Sequence, residues 1–205
     1  MLNLSAKETG IDEQILKIAR ATDKFEGYPY PHAERIADIA NVLAKQQFNF
    51  ASHDLLSLRQ AALIHDIGEM TMNRDYIKAN RTLRSDERID LQRHTVIGEQ
   101  EAAKRGLNRA VQLLVRWHHE WWNGTGYPDA LEREQIPLAA RILRVSDTFA
   151  TLTEARPYRA PFSVFEAKRH LTEWAGIEFD PKVVKALLSL EKSEELDTYH
   201  ESTRT

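Results

Sequence analysis

Apolar positions along the chain recur with the spacing of an α-helix. Ile36, Ile39, Ala40 and Leu43 follow the i, i+3, i+4, i+7 pattern, which places them on one helix face. No segment alternates between apolar and polar residues with the period of two that strands require. We therefore predict an all-α fold, a bundle of about seven to eight helices. The predicted helical segments cover residues 11–19, 36–43, 55–64, 85–97, 111–117, 138–152, 164–174 and 181–188.

Residues typical of helix ends accompany several of these segments. Gly68 is predicted to be the C-cap of the third helix. Ser163 and Glu166 form the pattern of a capping box. Asp180 followed by Pro181 is typical of the start of a helix. These signals indicate separate helices rather than one long helical rod.

Two long connections, residues 69–84 and 120–136, interrupt the helical pattern. Loops of this length are uncommon in compact helical domains and often carry function. The chain has no internal repeat and no shift in composition, so we expect residues 1–190 to form a single domain. Residues 191–205 are polar and are expected to form a frayed tail.

Composition narrows the classes of protein to which such a bundle can belong. The chain has 205 residues, eight histidines and no cysteine, which excludes disulfide frameworks, thiolate zinc sites, iron–sulfur clusters and a cysteine nucleophile. The formal net charge of -3, without a basic block, argues against binding to nucleic acid or to an anionic membrane surface. We find no signal peptide and no run of the roughly 20 apolar residues that a membrane span needs. We therefore expect a cytoplasmic protein without a membrane span.

Histidine and aspartate residues cluster at the ends of two predicted helices. His65 and Asp66 end the third helix, and His118 and His119 end the fifth. Without cysteine, a metal ion must be held by imidazole and carboxylate, and both members of such a pair can converge on one ion at a helix end. The alternatives are an imidazole that interacts with the helix dipole at position 65 and an exposed pair at 118 and 119.

Three further residues are candidates for the same chemistry. His32 lies in the first turn of a predicted helix, where an isolated imidazole is more often a capping or surface residue than a ligand. His94 lies within another helix, where a polar helix face is the alternative. Asp147 lies within a mostly apolar helix, where an unpaired carboxylate is costly. A cation must therefore lie beside Asp147, either an arginine or a metal ion.

Taken together, these motifs resemble the HD-GYP branch of the HD-domain phosphohydrolase superfamily, from about residue 23 to residue 190. The long segment that ends in Gly126-Tyr127-Pro128 is highly specific, whereas an adjacent His-Asp pair alone would be a weak signal. The matching segments, in family order, are His32-Ala33-Glu34-Arg35-Ile36-Ala37, His65-Asp66-Ile67-Gly68, His94 with Gly98, residues 118–128, Ile136-Pro137-Leu138-Ala139-Ala140-Arg141-Ile142, Asp147-Thr148-Phe149, Arg156-Pro157-Tyr158-Arg159 and Phe179-Asp180-Pro181.

The resemblance implies that the chain binds two divalent metal ions. Iron is the family's frequent choice, and manganese is its usual substitute. Some members hold a third ion partly through a glutamate one helical turn before the first histidine, but Tyr28 occupies that position here. The resemblance places one ion at His32, His65, Asp66 and Asp147 and the other at His94, His118 and His119, with Asp66 bridging the two.

The resemblance also implies an activity, the hydrolysis of the bacterial second messenger cyclic di-GMP by a hydroxide that bridges the two metal ions. His65, Asp66 and Asp147 are then the expected catalytic residues. Arg156 and Arg159 match positions that contact guanine or phosphate, and a guanidinium fork suits either group. The alternative for these two arginines is an ordinary exposed turn.

Other positions bear on substrate recognition. In the family, the Gly126-Tyr127-Pro128 loop serves substrate access or docking of diguanylate-cyclase-type proteins. Glu69 stands where the family has a lysine that faces the substrate phosphate, and Asn123 and Ala150 stand where aspartates are usual. The alternatives to cyclic di-GMP hydrolysis are therefore a metal phosphohydrolase for another nucleotide or phosphoester, and a catalytically weak signalling module that acts by binding partners.

Overall fold

The computed structural model describes residues 13–79, 81–155 and 160–190. Arg156, Arg159 and the predicted tail over 191–205 lie outside the described residues, as does the start of the first predicted helix. Two 3₁₀ turns, Asp75–Lys78 and Arg133–Gln135, lie in the long connections. The described α-helices are α1 (Glu13–Glu26), α2 (His32–Phe48), α3 (Ser52–Ile64), α4 (Ile67–Met72), α5 (Ser85–Leu91), α6 (His94–Lys104), α7 (Arg109–Trp117), α8 (Leu138–Thr153), α9 (Val164–Glu173) and α10 (Pro181–Ser189).

The predicted all-α class is confirmed. The described residues contain two isolated β-bridges and no strand. Every predicted helical segment within them is helical, although the segment predicted over 85–97 is divided into α5 and α6 because the chain turns at Gln92 and Arg93. No helix in the described part of the chain is long and apolar enough to cross a membrane.

The predictions that Gly68 caps the third helix and that residues 69–84 form one loop are wrong. Helix α3 ends at Ile64, and Gly68 lies inside the short helix α4. A Cβ atom on Gly68 would lie 2.0 Å from the backbone oxygen of His94, so glycine is needed here because α4 approaches the start of α6 closely. Ile67 is fully buried and anchors α4 in the core.

Helices α2, α3 and α8 pack together at the centre of the bundle. Their common core includes the fully buried side chains of Ile36, Leu58 and Leu143. Helix α4 packs against α6, and α6 packs against α7. Helix α3 also packs against α7, so the residues that follow these helices, His65 and His118, lie close together with their ring centroids 5.3 Å apart.

Two helix starts that the sequence predicts are confirmed. Ser163 is the N-cap residue of α9 and forms a capping box with Glu166. Asp180 caps α10, with Pro181 in the first turn. The segment between these two helices is therefore fixed at both ends, and it lies against the second long connection, since the backbone amide of Trp122 donates to the backbone oxygen of Glu178 at 3.0 Å.

Candidate metal centre

Three histidines of the predicted site share one local geometry. In each, Nδ1 of the ring donates a hydrogen bond to the backbone oxygen three residues earlier. Because a carbonyl oxygen only accepts hydrogen bonds, Nδ1 carries a proton, and the lone pair of the neutral ring lies on Nε2. The bonds measure 2.8 Å from His65 to Ala62, 2.7 Å from His94 to Leu91 and 2.7 Å from His118 to Val115.

The Nε2 atoms of these rings face the carboxylate of Asp66. Oδ2 of Asp66 lies 3.1 Å from Nε2 of His65. Its Oδ1 lies 3.3 Å from Nε2 of His94 and 3.4 Å from Nε2 of His118. Asp66 is the N-cap residue of α4, yet its side chain makes no capping hydrogen bond. Its carboxylate therefore contacts the imidazoles rather than the helix backbone.

The donor atoms of this cluster fit a bound metal ion. Nε2 of His94 and Nε2 of His118 are 3.3 Å apart, which brings two nitrogen lone pairs together in the neutral rings. Nε2 of His65 and Oδ1 of Asp66 are buried without a hydrogen-bond partner, although buried polar atoms normally have one. A divalent cation with nitrogen and oxygen ligands satisfies all of these atoms together.

The ionisation of His65 and Asp66 also shows that positive charge is favoured here. Burial opposes the charged form of His65, but the Asp66 carboxylate raises the pKa of His65 to about 10. Burial likewise opposes ionisation of Asp66, but the charge on His65 and contacts with the other imidazoles hold the pKa of Asp66 well below its usual range. Asp66 therefore stays ionised, and its carboxylate favours a positive charge beside it.

A second group of side chains surrounds His32, the first residue of α2. Its Nδ1 lies 2.6 Å from Oε2 of Glu154, and Nη1 of Arg35 lies 3.0 Å from Oε1 of the same carboxylate. Tyr28 stacks on the imidazole with ring centroids 3.7 Å apart. Glu154 thus orients His32, a role that the sequence analysis misses. The feature of the sequence that points to this role is the position of Glu154, two helical turns after Asp147.

His119 is held differently from the other rings. Nη1 of Arg144 donates a hydrogen bond to Nδ1 of His119 at 2.9 Å, because a guanidinium group only donates. Tyr127 stacks on the imidazole with ring centroids 5.0 Å apart. Burial, aided by the charges of His118 and Arg144, lowers the pKa of His119 well below its usual value. The ring is therefore neutral, with its proton on Nε2 while Nδ1 accepts from Arg144, and it becomes a nitrogen ligand only when one of these two nitrogens is released.

The structure brings the predicted ligand residues into two groups, and within each group the donor atoms lie within 4.8 Å of one another. The groups adjoin at His65 and Asp66. All donors are imidazole nitrogens or carboxylate oxygens, which suit iron, manganese and zinc. One group consists of Asp66, His94, His118 and His119, and the other consists of His32, His65 and Asp147.

Members of both groups line a cavity of about 390 Å³. Its carboxylates belong to Asp66, Glu69, Asp147 and Glu178. Burial and the nearby Asp66 carboxylate raise the pKa of Glu69 to about 8. Within the described part of the chain, Arg144 is the one lysine or arginine that lines the cavity. The wall is therefore acidic, as a site for divalent cations requires.

The residues of the predicted substrate loop occupy different positions. Tyr127 lines the cavity, whereas neither Gly126 nor Pro128 is among the described residues that do so. A Cβ atom on Gly126 would lie 2.2 Å from the backbone nitrogen of Trp121 and 2.6 Å from the backbone oxygen of His119. Gly126 therefore allows the loop to pack closely against the backbone of His119 and Trp121.

The carboxylate of Glu120 braces this loop from within. It accepts hydrogen bonds from the backbone amides of Asp129 at 2.7 Å and Leu131 at 3.1 Å. The backbone amide of Tyr127 donates to the backbone oxygen of His119 at 3.2 Å. These bonds hold Tyr127 over the His119 ring although the loop contains no α-helix.

The chain is similar to known proteins over most of its length. A family model described as the HD domain matches residues 23–183. A cyclic di-GMP phosphodiesterase response regulator of Xanthomonas campestris is 34% identical over 179 residues, which cover 86% of this chain and 47% of the relative. A cyclic di-GMP phosphodiesterase of Thermotoga maritima is 31% identical over 164 residues, 78% of this chain and 44% of the relative. A 3'3'-cGAMP-specific phosphodiesterase of Vibrio cholerae is 27% identical over 189 residues, 91% of this chain and 36% of the relative. The chain thus spans less than half the length of these relatives.

Solved structures show the same fold. A cyclic GMP-AMP-specific phosphodiesterase of Vibrio cholerae superposes with a TM-score of 0.72 at 22% identity, over 89% of this chain and 49% of that chain. An HDG"Y"P protein from Bdellovibrio bacteriovorus superposes with a TM-score of 0.66 at 17% identity, over 94% of this chain and 59% of that chain. At these identities the likeness supports the helical architecture and nothing finer.

Proposed function

This chain belongs to the HD domain family, and from that membership we propose that it is a cytoplasmic, metal-dependent phosphodiesterase that hydrolyses cyclic di-GMP. The observation that carries the proposal is the meeting of two groups of nitrogen and oxygen donors at His65 and Asp66, beside one acidic cavity. The cyclic di-GMP phosphodiesterases among its relatives support the choice of substrate.

We assign the two groups to two divalent metal ions, iron or manganese. This assignment rests on the ligand chemistry, because every donor is an imidazole or a carboxylate and the chain has no cysteine. When bound, such a pair supplies Lewis acidity towards the phosphate oxygens and activates water for attack on phosphorus.

The residues of the chain prepare this chemistry in three ways. Asp66 lies where the groups adjoin and is kept ionised by its low pKa, so it can serve both ions. Glu154 fixes the ring of His32 by accepting from its Nδ1, as carboxylates commonly do for histidine ligands. Tyr127 covers His119 and shields that side of the centre from solvent.

Hydrolysis of another nucleotide or phosphoester is a second candidate function, and Glu69 is the observation that favours it. Its carboxylate lines the cavity, where, when ionised, it repels the phosphate of a substrate. Cyclic GMP-AMP belongs among the substrates to be compared, because one relative is specific for it.

We also propose the loop between α7 and α8 as the docking surface for a diguanylate-cyclase-type protein. Its exposed residues include Asn123, Thr125 and Asp129, while Tyr127 faces the cavity. Binding between purified proteins, with the Asn123→Ala/Thr125→Ala variant for comparison, tests this surface. Equal binding by the variant would contradict it.

The substrate proposal is tested on protein reconstituted with Fe²⁺ or Mn²⁺ under anaerobic conditions. We expect cyclic di-GMP to be converted to linear pGpG or GMP, separated by chromatography, faster than cyclic GMP-AMP and simple phosphoesters. Asp66→Asn is expected to abolish turnover, whereas Asp38→Asn, a change at the exposed end of the Arg59–Asp38 pair, keeps it. Preference for another phosphoester would favour the second candidate function.

A further inference from the structure

Two arginines of α8 each pair with an acidic residue of the segment between α9 and α10. Nη1 of Arg141 lies 2.6 Å from Oδ2 of Asp180, and Nη2 of Arg144 donates to Oε1 of Glu178. The pairs lie one helical turn apart and have the same charges. They differ in what else each guanidinium group contacts.

All the contacts of Arg141 described here are structural. Its Nε donates to the backbone oxygen of Ile136 at 2.8 Å, and its partner Asp180 is buried and caps α10. The guanidinium group also lies over the ring of Trp122, 5.5 Å from the centroid. Arg141 is not among the described residues that line the cavity.

Arg144 faces the cavity. Its Nη1 lies 2.9 Å from Nδ1 of His119 and 3.4 Å from Oδ2 of Asp147, so it lies beside both donor groups of the metal centre. Its Nε is buried without a hydrogen-bond partner. A guanidinium group has five N–H donors, and Arg144 therefore keeps donating capacity that its protein contacts leave unused.

The charge of the cavity indicates which kind of ligand the unused N–H donors of Arg144 bind. Its acidic side chains, within the described part of the chain, are those of Asp66, Glu69, Asp147 and Glu178. None of them attracts an anionic phosphate. At the position where the family resemblance leads one to expect a lysine, the chain has Glu69. Arg144 supplies positive charge from a different helix.

We propose that Arg144 binds the phosphate group of the substrate and that Glu178 positions its guanidinium fork for this contact. The inference rests on the proposed function, because it takes the substrate to be a phosphodiester held at this cavity. Planar guanidinium groups bind phosphate through two parallel N–H donors. Nη1 faces His119 and Asp147, and Glu178 takes one N–H of Nη2, so the edge left for a ligand is that of Nε and the second N–H of Nη2.

A purely structural role for Arg144, neutralising Glu178 and Asp147, is the competing explanation. The double variant Arg144→Met/Glu178→Gln separates the two, because it removes one positive and one negative charge together. The net charge of the cavity is unchanged, and no charged partner of the pair remains buried alone. Arg141→Met/Asp180→Asn makes the same neutral exchange in the structural pair and is the matched control.

The measurement is the equilibrium dissociation constant of a hydrolysis-resistant bis-phosphorothioate analogue of cyclic di-GMP, on the 205-residue chain at equal Mn²⁺ content. We expect the Arg144→Met/Glu178→Gln variant to bind roughly 10- to 100-fold more weakly than the wild type, as loss of a charge-assisted contact predicts. The matched control is expected to bind within twofold of the wild type.

Binding by the Arg144→Met/Glu178→Gln variant within twofold of the wild type would overturn the inference and leave the proposed function standing. If wild-type protein binds neither the analogue nor cyclic di-GMP, the proposed function fails first. Should the double variant not fold, Arg144→Lys decides the question. It keeps the charge beside Glu178 but loses the fork, and we expect several-fold weaker binding; unchanged affinity would overturn the inference.

Discussion

Nδ1 of His32 lies 2.6 Å from Oε2 of Glu154, which joins the start of α2 to the end of α8 across 122 residues of sequence. The contact fixes the imidazole so that its Nε2 is available to a metal ion. Carboxylates that hold histidine ligands in this way contribute to metal affinity although they do not touch the metal. Glu154 is therefore part of the metal centre in our account.

We predict that Glu154→Gln weakens metal binding by about 10- to 100-fold at one of the two sites, as is typical for loss of such a carboxylate. The reason is that an amide holds the His32 imidazole less strongly than a carboxylate does. Competition with a metal-sensitive dye measures the two affinities. Glu34→Gln is the control: Glu34 is a half-buried residue on the same helix as His32, and it pairs with Arg20 of α1. Equal affinities in wild type and Glu154→Gln would show that Glu154 does not orient a ligand.

Gly126→Ala is predicted to destabilise the loop over the metal centre. The added Cβ would meet the backbone of Trp121 at 2.2 Å, and overpacking of this kind costs about 1–3 kcal/mol. Displacing the loop also moves His119, so we expect both a lower melting temperature and a weaker second metal site. Gly106→Asn is the control, since Gly106 has positive φ and open space around its Cβ position. A melting temperature equal to that of the wild type would contradict the role given to Gly126.

Glu69→Lys is predicted to tighten the binding of anionic nucleotides. Above about pH 8, where Glu69 is ionised, the substitution changes the charge beside the cavity by two units, and at an effective dielectric of about 20 this amounts to roughly a tenfold or larger gain in affinity. Glu173→Lys makes the same change at an exposed position on α9 and should leave affinity unchanged. Binding of the phosphorothioate analogue at several salt concentrations measures the effect. No gain in Glu69→Lys at low salt would mean that position 69 does not face the ligand.

The start of α5 is predicted to lose stability in acid. Glu87 accepts hydrogen bonds from both Nη atoms of Arg81, each at 2.7 Å, and from the backbone amide of Arg84. These contacts lower the pKa of Glu87 from 4.5 to about 2. A lowered pKa stabilises the fold above about pH 4.5, and that contribution disappears as the pH falls towards 2.

Thermal melts between pH 7 and pH 2 test the contribution of Glu87. In Glu87→Gln the loss of stability between pH 4.5 and pH 2 should be smaller than in the wild type. Arg81→Gln, which removes the main donor, is expected to have a similar effect. Parallel pH profiles in all three proteins would rule out this ion pair as a source of acid sensitivity.

Much of the fold follows from local sequence. The long helices could be predicted because their apolar residues recur over three or more turns. Helix α4 was not predicted, since its six residues are too few to show helical spacing. The close approach of Gly68 to His94 is a tertiary contact that no local pattern contains. From local sequence alone, Gly68 therefore resembles a helix cap.

The site was predictable to a smaller extent. Residue types and spacing made His65, Asp66, His118 and His119 candidates, and the family resemblance added the remaining ligand positions. The residues that orient and neutralise the centre were not found. Arg144 and Glu178 are 34 residues apart in sequence. The sequence around a charged residue does not indicate which distant residue it contacts in the folded protein.

The central claim is that His65 and Asp66 lie where two metal sites adjoin. The metal content of protein reconstituted with Fe²⁺ or Mn²⁺ under anaerobic conditions, determined by elemental analysis, tests this claim most directly. Our account predicts two ions per chain in the wild type and at most one in Asp66→Asn. Wild-type protein that is folded and binds no transition metal after reconstitution would contradict it.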